Sequence, residues 1–503
     1  PLRLDPTTRT NSASNVSQSA TATSAALQRS SSISTITSVP SAIWKERWIP
    51  TTGPYLDLGL LSLENISDHV YEAATRGRTV EKLEVRALDM AGLVDAFKSI
   101  LADAAMSGDF TQVLSTERGF YLVSPDDNGT IRSLGEGIER EVIHTLLEQY
   151  RQSSGQWFAP REDRHSTLAT SYPLAMAQCV PLSRLCNMAI LGAAVAMSLV
   201  RGVSTIPLDP VLLHFFVHDC DLHSIHPGTA TQTHLPFRNH FITHHDLQVS
   251  SLHDRDQRAH DALAANMLYR AVVGSEPSNH PELQAFLKGF RLPCRNGFNF
   301  AKFIKSLDGG SEMFFNIVWT SHISSFANLE SHLRIQPAPV TLQNQLRIAI
   351  PDGQTTFESL LILFLKGNGI PCPGLFAEAK IYFNRLVDLS TIEEDGFRSR
   401  MFCWAATGSC DREPDASRIM VRFVEDDDPM YGQDAHLRTA MARQGKICFR
   451  TCAQRVAIPA SYVIKLANSA YTADGPEPSS FDAALGHWLL CEFLDAIGNH
   501  TIV

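Results

Sequence analysis

The chain has 503 residues, 44% of them hydrophobic, with a formal net charge of −10 and a pI near 6.0. That length exceeds one ordinary domain and predicts several packed units. The acidic balance excludes a protein that works through a broad basic face on nucleic acid, and the most apolar run, Met188 to Val200, falls short of the ~20 residues a membrane helix needs and reads as a buried helix.

The ten cysteines are scattered through apolar segments rather than clustered as in a short secreted scaffold, which predicts mostly reduced thiols and an intracellular protein of the cytoplasm or nucleus. The first residue is Pro1, expected for a fragment or a processed product. Residues 1–42 are dominated by Ser, Thr, Ala and Asn, cannot build a core, and are expected to be a disordered tail. Leu88, Leu93, Phe97, Ile100 and Leu101 share a helical face, predicting a helix over 83–105. Further helices are expected at 136–150 and 176–200 (interrupted at Pro181), and a short one after Pro210. Residues 218–262, rich in His and Asp, read as a polar loop. In "HPELQAFLKGF", Pro281 suits a first helical turn and Gly289 a helix end. Helices are expected at 355–366, 374–388 and 395–406, and "ATGSCDREPD" (406–415) reads as a hinge. Beyond it, 418–424, 446–451 and 455–458 are strand-like, with helices at 461–471 and 481–497.

"RTCAQRVAIPASY" (450–462) sets Thr451-Cys452 ahead of Val456, Ile458-Pro459 and Tyr462. That pattern resembles the active-site segment of HECT-type ubiquitin ligases. "LDMAGLVDAFKSILADA" (88–104), "STERGFYLVSP" (115–125), the stretch 191–227, "AFLKGF" (285–290) and "FRSRMFCWAATGS" (397–409) are similar to further family segments, in the family's order, so the resemblance spans residues 84–503.

The resemblance implies an α+β, bilobal HECT-like fold: a mainly helical N-lobe over 43–409, with a conjugating-enzyme-docking subdomain within about 285–365, and a small α/β C-lobe over 410–503. It implies a transferase that takes ubiquitin from a ubiquitin-conjugating enzyme onto Cys452 and passes it to a lysine of a protein substrate, with no cofactor, metal, nucleic acid or membrane. Thioester exchange needs a thiolate, and only a few per cent of an ordinary thiol (pKa roughly 8.5) is ionised near neutrality. Arg450 and Arg455 flank Cys452, Arg450 on its face if the segment is a strand. Gly408 fits a hinge about which the small lobe swings. Cys448 is the rival thiol.

Two other readings stay open. Ala453 and Asn499 stand where the family usually carries Phe, which favours a HECT-like scaffold without transferase activity. Where the family places an assisting acid at its carboxyl end, the nearest here are Glu492 and Asp495. His218, Asp219, Asp221, His223, His226, His234, His240, His244, His245 and His253 admit a metal-dependent hydrolase, although no His-x-x-x-His spacing with a nearby Glu supports it.

Overall fold

The computed structural model describes residues 63–497 apart from 125–130, 161–165, 204, 206, 225–265, 267–268, 271, 308–309, 351–353, 372, 374–394, 413–416 and 472–477. The tail at 1–42, the helix at 374–388, most of the histidine-rich loop and Asn499 therefore lie outside the described residues.

The fold is α+β, with helices predominant and the apolar side chains gathered into two large cores. The first runs from Ile66 to Val318. Its chain order is α1 (Leu63–Thr75), β1 (Leu83–Ala87), α2 (Met90–Ser107), β2 (Arg118–Val123), β3 (Ile131–Leu134), α3 (Glu136–Gln152), β4 (Phe158–Pro160), β5 (Ser166–Leu168), α4 (Leu182–Val200), α5 (Pro210–Val217), α6 (Pro281–Phe290), α7 (Phe300–Lys305) and α8 (Gly310–Thr320). The expected helix over 83–105 divides in two. Leu83–Ala87 is a strand pairing in parallel with β2, because its Leu83 and Val85 alternate inward and Asp89 then caps a new helix by accepting from the Gly92 N–H at 2.7 Å. Helix α4 is long and apolar enough to cross a membrane, but every side chain from Met188 to Val200 is buried in the first core. Pro181 stands at its N-cap, where the sequence placed a break.

Helix α6 lies on α4 backbone to backbone. A Cβ at Gly289 would overlap the Ala189 carbonyl, and one at Gly192 the Phe286 carbonyl. Gly289 is thus not the helix end expected of it. The helix continues to Phe290, with Arg291 as C-cap, and the glycine serves close helix contact instead.

The second core runs from Ile323 to Ile497. It draws on β6 (Leu333–Gln336), α9 (Val340–Ala349), α10 (Phe357–Lys366), α11 (Phe397–Thr407), β7 (Ile419–Val424), β8 (Cys448–Arg450), β9 (Arg455–Pro459), α13 (Ala460–Tyr471) and α14 (Pro478–Ala496), while α12 (Ala435–Arg443) buries Ala442 in a small separate cluster with Met430, Tyr431 and Cys448. The sheet order is β6-β7-β9-β8, with β6, β7 and β9 parallel and β8 antiparallel to β9. Behind it Phe402 and Phe449 meet Phe493 edge-on.

The expected division at 409/410 runs through this second core. Strand β6 pairs with β7 across it, and α11 packs on α14. The cores part instead between Val318 and Ile323. The expected docking region at 285–365 is split likewise: α6, α7 and α8 join the first core, and β6, α9 and α10 the second.

Candidate functional site

Strands β8 and β9 form a hairpin whose last pair is Arg450↔Arg455. The four residues between them turn tightly, with Thr451–Ala453 in a single 3-10 turn. Cys452 is therefore on a turn, not on a strand, and the alternation that put Arg450 on its face does not apply. Arg450 instead donates from Nη2 to the carbonyl of Met430 at 3.2 Å, and Arg455 is exposed at the head of β9.

Gln454 closes the turn in the left-handed region (φ 51), a conformation that costs roughly 1 kcal/mol or more without glycine. Four bonds hold it there. Its N–H donates to Thr451 O at 3.2 Å, and its own carbonyl accepts from Met420 N at 2.9 Å. Its Oε1 accepts from Arg412 Nη2 at 2.6 Å and from Ser417 Oγ at 2.5 Å. Thr451 is buried, while Cys452 and Ala453 are exposed.

The turn stands at a polar cleft of about 310 Å³ between the two cores. The first core contributes Ser67 and Asp68 of α1, Glu136 and Arg140 of α3, and Arg201 just past α4; the second contributes Asp411, Arg412, Thr451, Cys452 and Gln454. Glycines at the head of α3 let the two sides meet. A Cβ on Gly135 (φ 127) would stand 2.7 Å from Cys452 Sγ, and one on Gly137 3.1 Å from Thr451 Oγ1. Gly408, expected as a hinge, is packed in the same seam. It caps α11 with φ 80, donates its N–H to Trp404 O at 2.8 Å, and lies against the Gly137 carbonyl, where a Cβ would not fit. The chain crosses between cores at 321–323, pairing there with 410–412. Arg412 N donates to Ser321 O at 2.6 Å, and His322 Nδ1 lies 2.9 Å from Asp411 Oδ1.

Under the cleft, Glu139 pairs with both Arg118 and Arg201, and both guanidinia lie over the Tyr71 ring, at 4.5 and 5.1 Å from its centroid. His144 of α3 is buried in the seam, its ring edge-on to Trp404 with centroids 4.0 Å apart. Burial pushes it down to about 4, against the opposing pull of Asp411. Its folded value lies below the ordinary 6.5, so stability is full above pH 6.5 and falls as the pH drops toward 4. Between pH 7.5 and 5.5 the part due to His144 is about 1 kcal/mol. Urea unfolding at the two pH values should show that increment shrink by this amount in His144→Gln, and an unchanged increment would refute it.

Burial separates the thiols. Cys448 is fully buried, donates to Met430 O at 3.0 Å and is pushed up to about 11 by desolvation. Cys403, Cys410, Cys220, Cys294 and Cys491 are pushed up by the same cause. Among the described residues the exposed cysteines are Cys179 and Cys452. Glu492 and Asp495 point elsewhere: both pair with Lys446 Nζ, at 3.1 and 3.0 Å, and Glu492 also accepts from Ile447 N.

Of the histidine-rich segment, His218 bonds Ser311 Oγ at 2.8 Å, and Asp219 pairs with Arg291 and Lys305 at 3.2 and 2.9 Å. Among the described residues no group of three or more His, Cys, Asp or Glu is placed to hold a metal; His226, His234, His240, His244, His245 and His253 lie outside them.

The first-core half of the cleft was not foreseen from sequence. Its one local signal was "LGEGIER" (134–140), two glycines at the head of a predicted helix. No family model matches the chain, and neither does any curated protein.

Proposed function

We propose that this chain is a ubiquitin-protein transferase of HECT type, acting inside the cell by carrying ubiquitin as a thioester on Cys452. The single observation that supports it most is the contrast between two thiols four residues apart. Cys452 is exposed on a turn that lines a cleft between two cores, while Cys448 is fully buried beside Met430 and Tyr431. A nucleophile that must meet a thioester on another protein needs that exposure. In this reading the two cores are the two lobes, and the lobe boundary is at Ser321–Ile323. Any swing between them turns on that crossing and breaks the seam along α3. A ubiquitin-conjugating enzyme, ubiquitin and a protein substrate are the partners.

Incubation with a ubiquitin-charged conjugating enzyme, followed by a non-reducing gel, tests this. An adduct that thiol reagents remove should form on the wild type and on Cys448→Ala, and be lost in Cys452→Ala. A wild-type chain that never acquires the adduct would instead support the second reading, a scaffold without transfer activity, which the alanine at position 453 favours.

A further inference from the structure

Transfer from a thioester to lysine needs more than the sulfur. A lysine arrives as an ammonium and must lose a proton before its nitrogen can attack. We infer that Glu136, at the head of α3 in the first core, is the catalytic carboxylate that takes this proton; the inference rests on the transferase reading above.

Three observations converge on Glu136. It follows directly on Gly135, the residue against which Cys452 Sγ is seated, so its backbone is adjacent to the reacting sulfur. Its side chain is 65% exposed and lines the same cleft, and Arg201 Nη1 stands 3.9 Å from its Oε1, too far for a hydrogen bond. The other carboxylates are worse placed. Asp411 also lines the cleft but its side chain is wholly buried and bonded to His322 and Ser409. Glu492 and Asp495 are held by Lys446. Asp68 lines the cleft from α1, remote in sequence from Gly135, against which the sulfur is seated. The first core thereby completes a site whose nucleophile belongs to the second.

In the step itself, the lysine ammonium gives one proton to the Glu136 carboxylate. The amine lone pair then attacks the thioester carbonyl. The N–C bond forms, the S–C bond breaks, and Cys452 leaves with the electron pair as thiolate. The second nitrogen proton passes to that thiolate, and Glu136 returns its own to water. No oxidant, metal or further reactant is required.

The test uses the full chain, charged with ubiquitin at Cys452 and then chased with free lysine. Glu136→Gln should load like the wild type but discharge on the order of 10²-fold more slowly. Glu136→Asp should lie between them, and Asp103→Asn, on an exposed face of α2 away from the cleft, should match the wild type. In Glu136→Ala, added acetate should restore discharge in proportion to its concentration, a rescue that a merely structural role would not give. Discharge of Glu136→Gln at the wild-type rate overturns the inference, as does a Glu136→Gln chain that no longer loads, or loss of discharge in Asp68→Asn alone. A wild type that fails to load removes the transferase reading and the inference together, whereas loading with unaltered discharge in Glu136→Gln removes only the inference.

Discussion

Gly289→Val should destabilise the first core by about 3 kcal/mol or more, among the largest single-site losses expected in this chain. The added side chain has no direction in which to yield. Its Cβ would overlap the carbonyl carbon and oxygen of Ala189 and approach the Ala193 amide, all backbone of α4. Helix α4 is fixed in turn, because its residues 188–200 are buried. Overpacking is cheap where a flexible side chain can move aside, and costly where two helices must separate. Separation would also open the contacts of Phe286 and Phe290 with Phe216. Gly192→Val should behave alike, since its Cβ overlaps the Phe286 carbonyl. Gly155→Ala is the control: its Cβ meets nothing within 4 Å, and the change should lie within about 0.5 kcal/mol of wild type. Urea unfolding followed by far-ultraviolet dichroism gives the midpoint and slope from which each loss is read. A Gly289→Val midpoint equal to that of the control would show that the two helices do not approach as described.

That glycine also marks where sequence reading stopped. Local patterns were legible where one element decides its own form. The alternation of 418–424 and the apolar stripe of Phe481, Leu485, Trp488, Leu489 and Phe493 in the helix expected at 481–497 were visible because period 2 and period 3.6 need no partner to be recognised. Gly289 was misread because a glycine near the end of an apolar run looks like a cap. Its purpose appears only when Gly192, almost a hundred residues earlier, is set opposite it. The break between cores was misplaced for a related reason. "ATGSCDREPD" has the small and polar residues of a hinge, yet Cys410, Asp411 and Arg412 pair with Ser321–Ile323, and the pairing partner is remote in sequence. The cleft repeats the lesson. Cys452 was named from its motif, but Asp68, Glu136 and Arg201 come from three elements of another core, and no spacing in the chain joins them.

The charges beneath that cleft support the last expectation. Glu139 is buried, and burial alone would push its carboxyl up. Arg118 and Arg201, both bonded to it, outweigh that and hold it below the usual carboxylate range. Two cations on one anion leave a positive excess, which the face of Tyr71 partly offsets. Glu139→Gln should therefore cost about 3–5 kcal/mol at pH 7, because it strands two buried guanidinia rather than deleting a pair cleanly. Arg118 and Arg201 have no water to turn to, being only 6% and 7% exposed. The pH dependence follows from the sign. A carboxyl whose folded pKa is depressed contributes stability that is complete above its ordinary value of 4.5 and is lost as the pH falls through the folded one. The wild type should therefore approach the variant in stability as the medium is acidified below pH 4.5, while the gap stays constant from pH 6 to 8. If the chain is the transferase proposed above, the same variant should also slow transfer from a loaded Cys452, because Arg201 lines the cleft, even at a temperature where it remains folded. A Glu139→Gln chain as stable as wild type at pH 7, or a gap that does not narrow in acid, would mean that these charges do not hold the floor of the cleft.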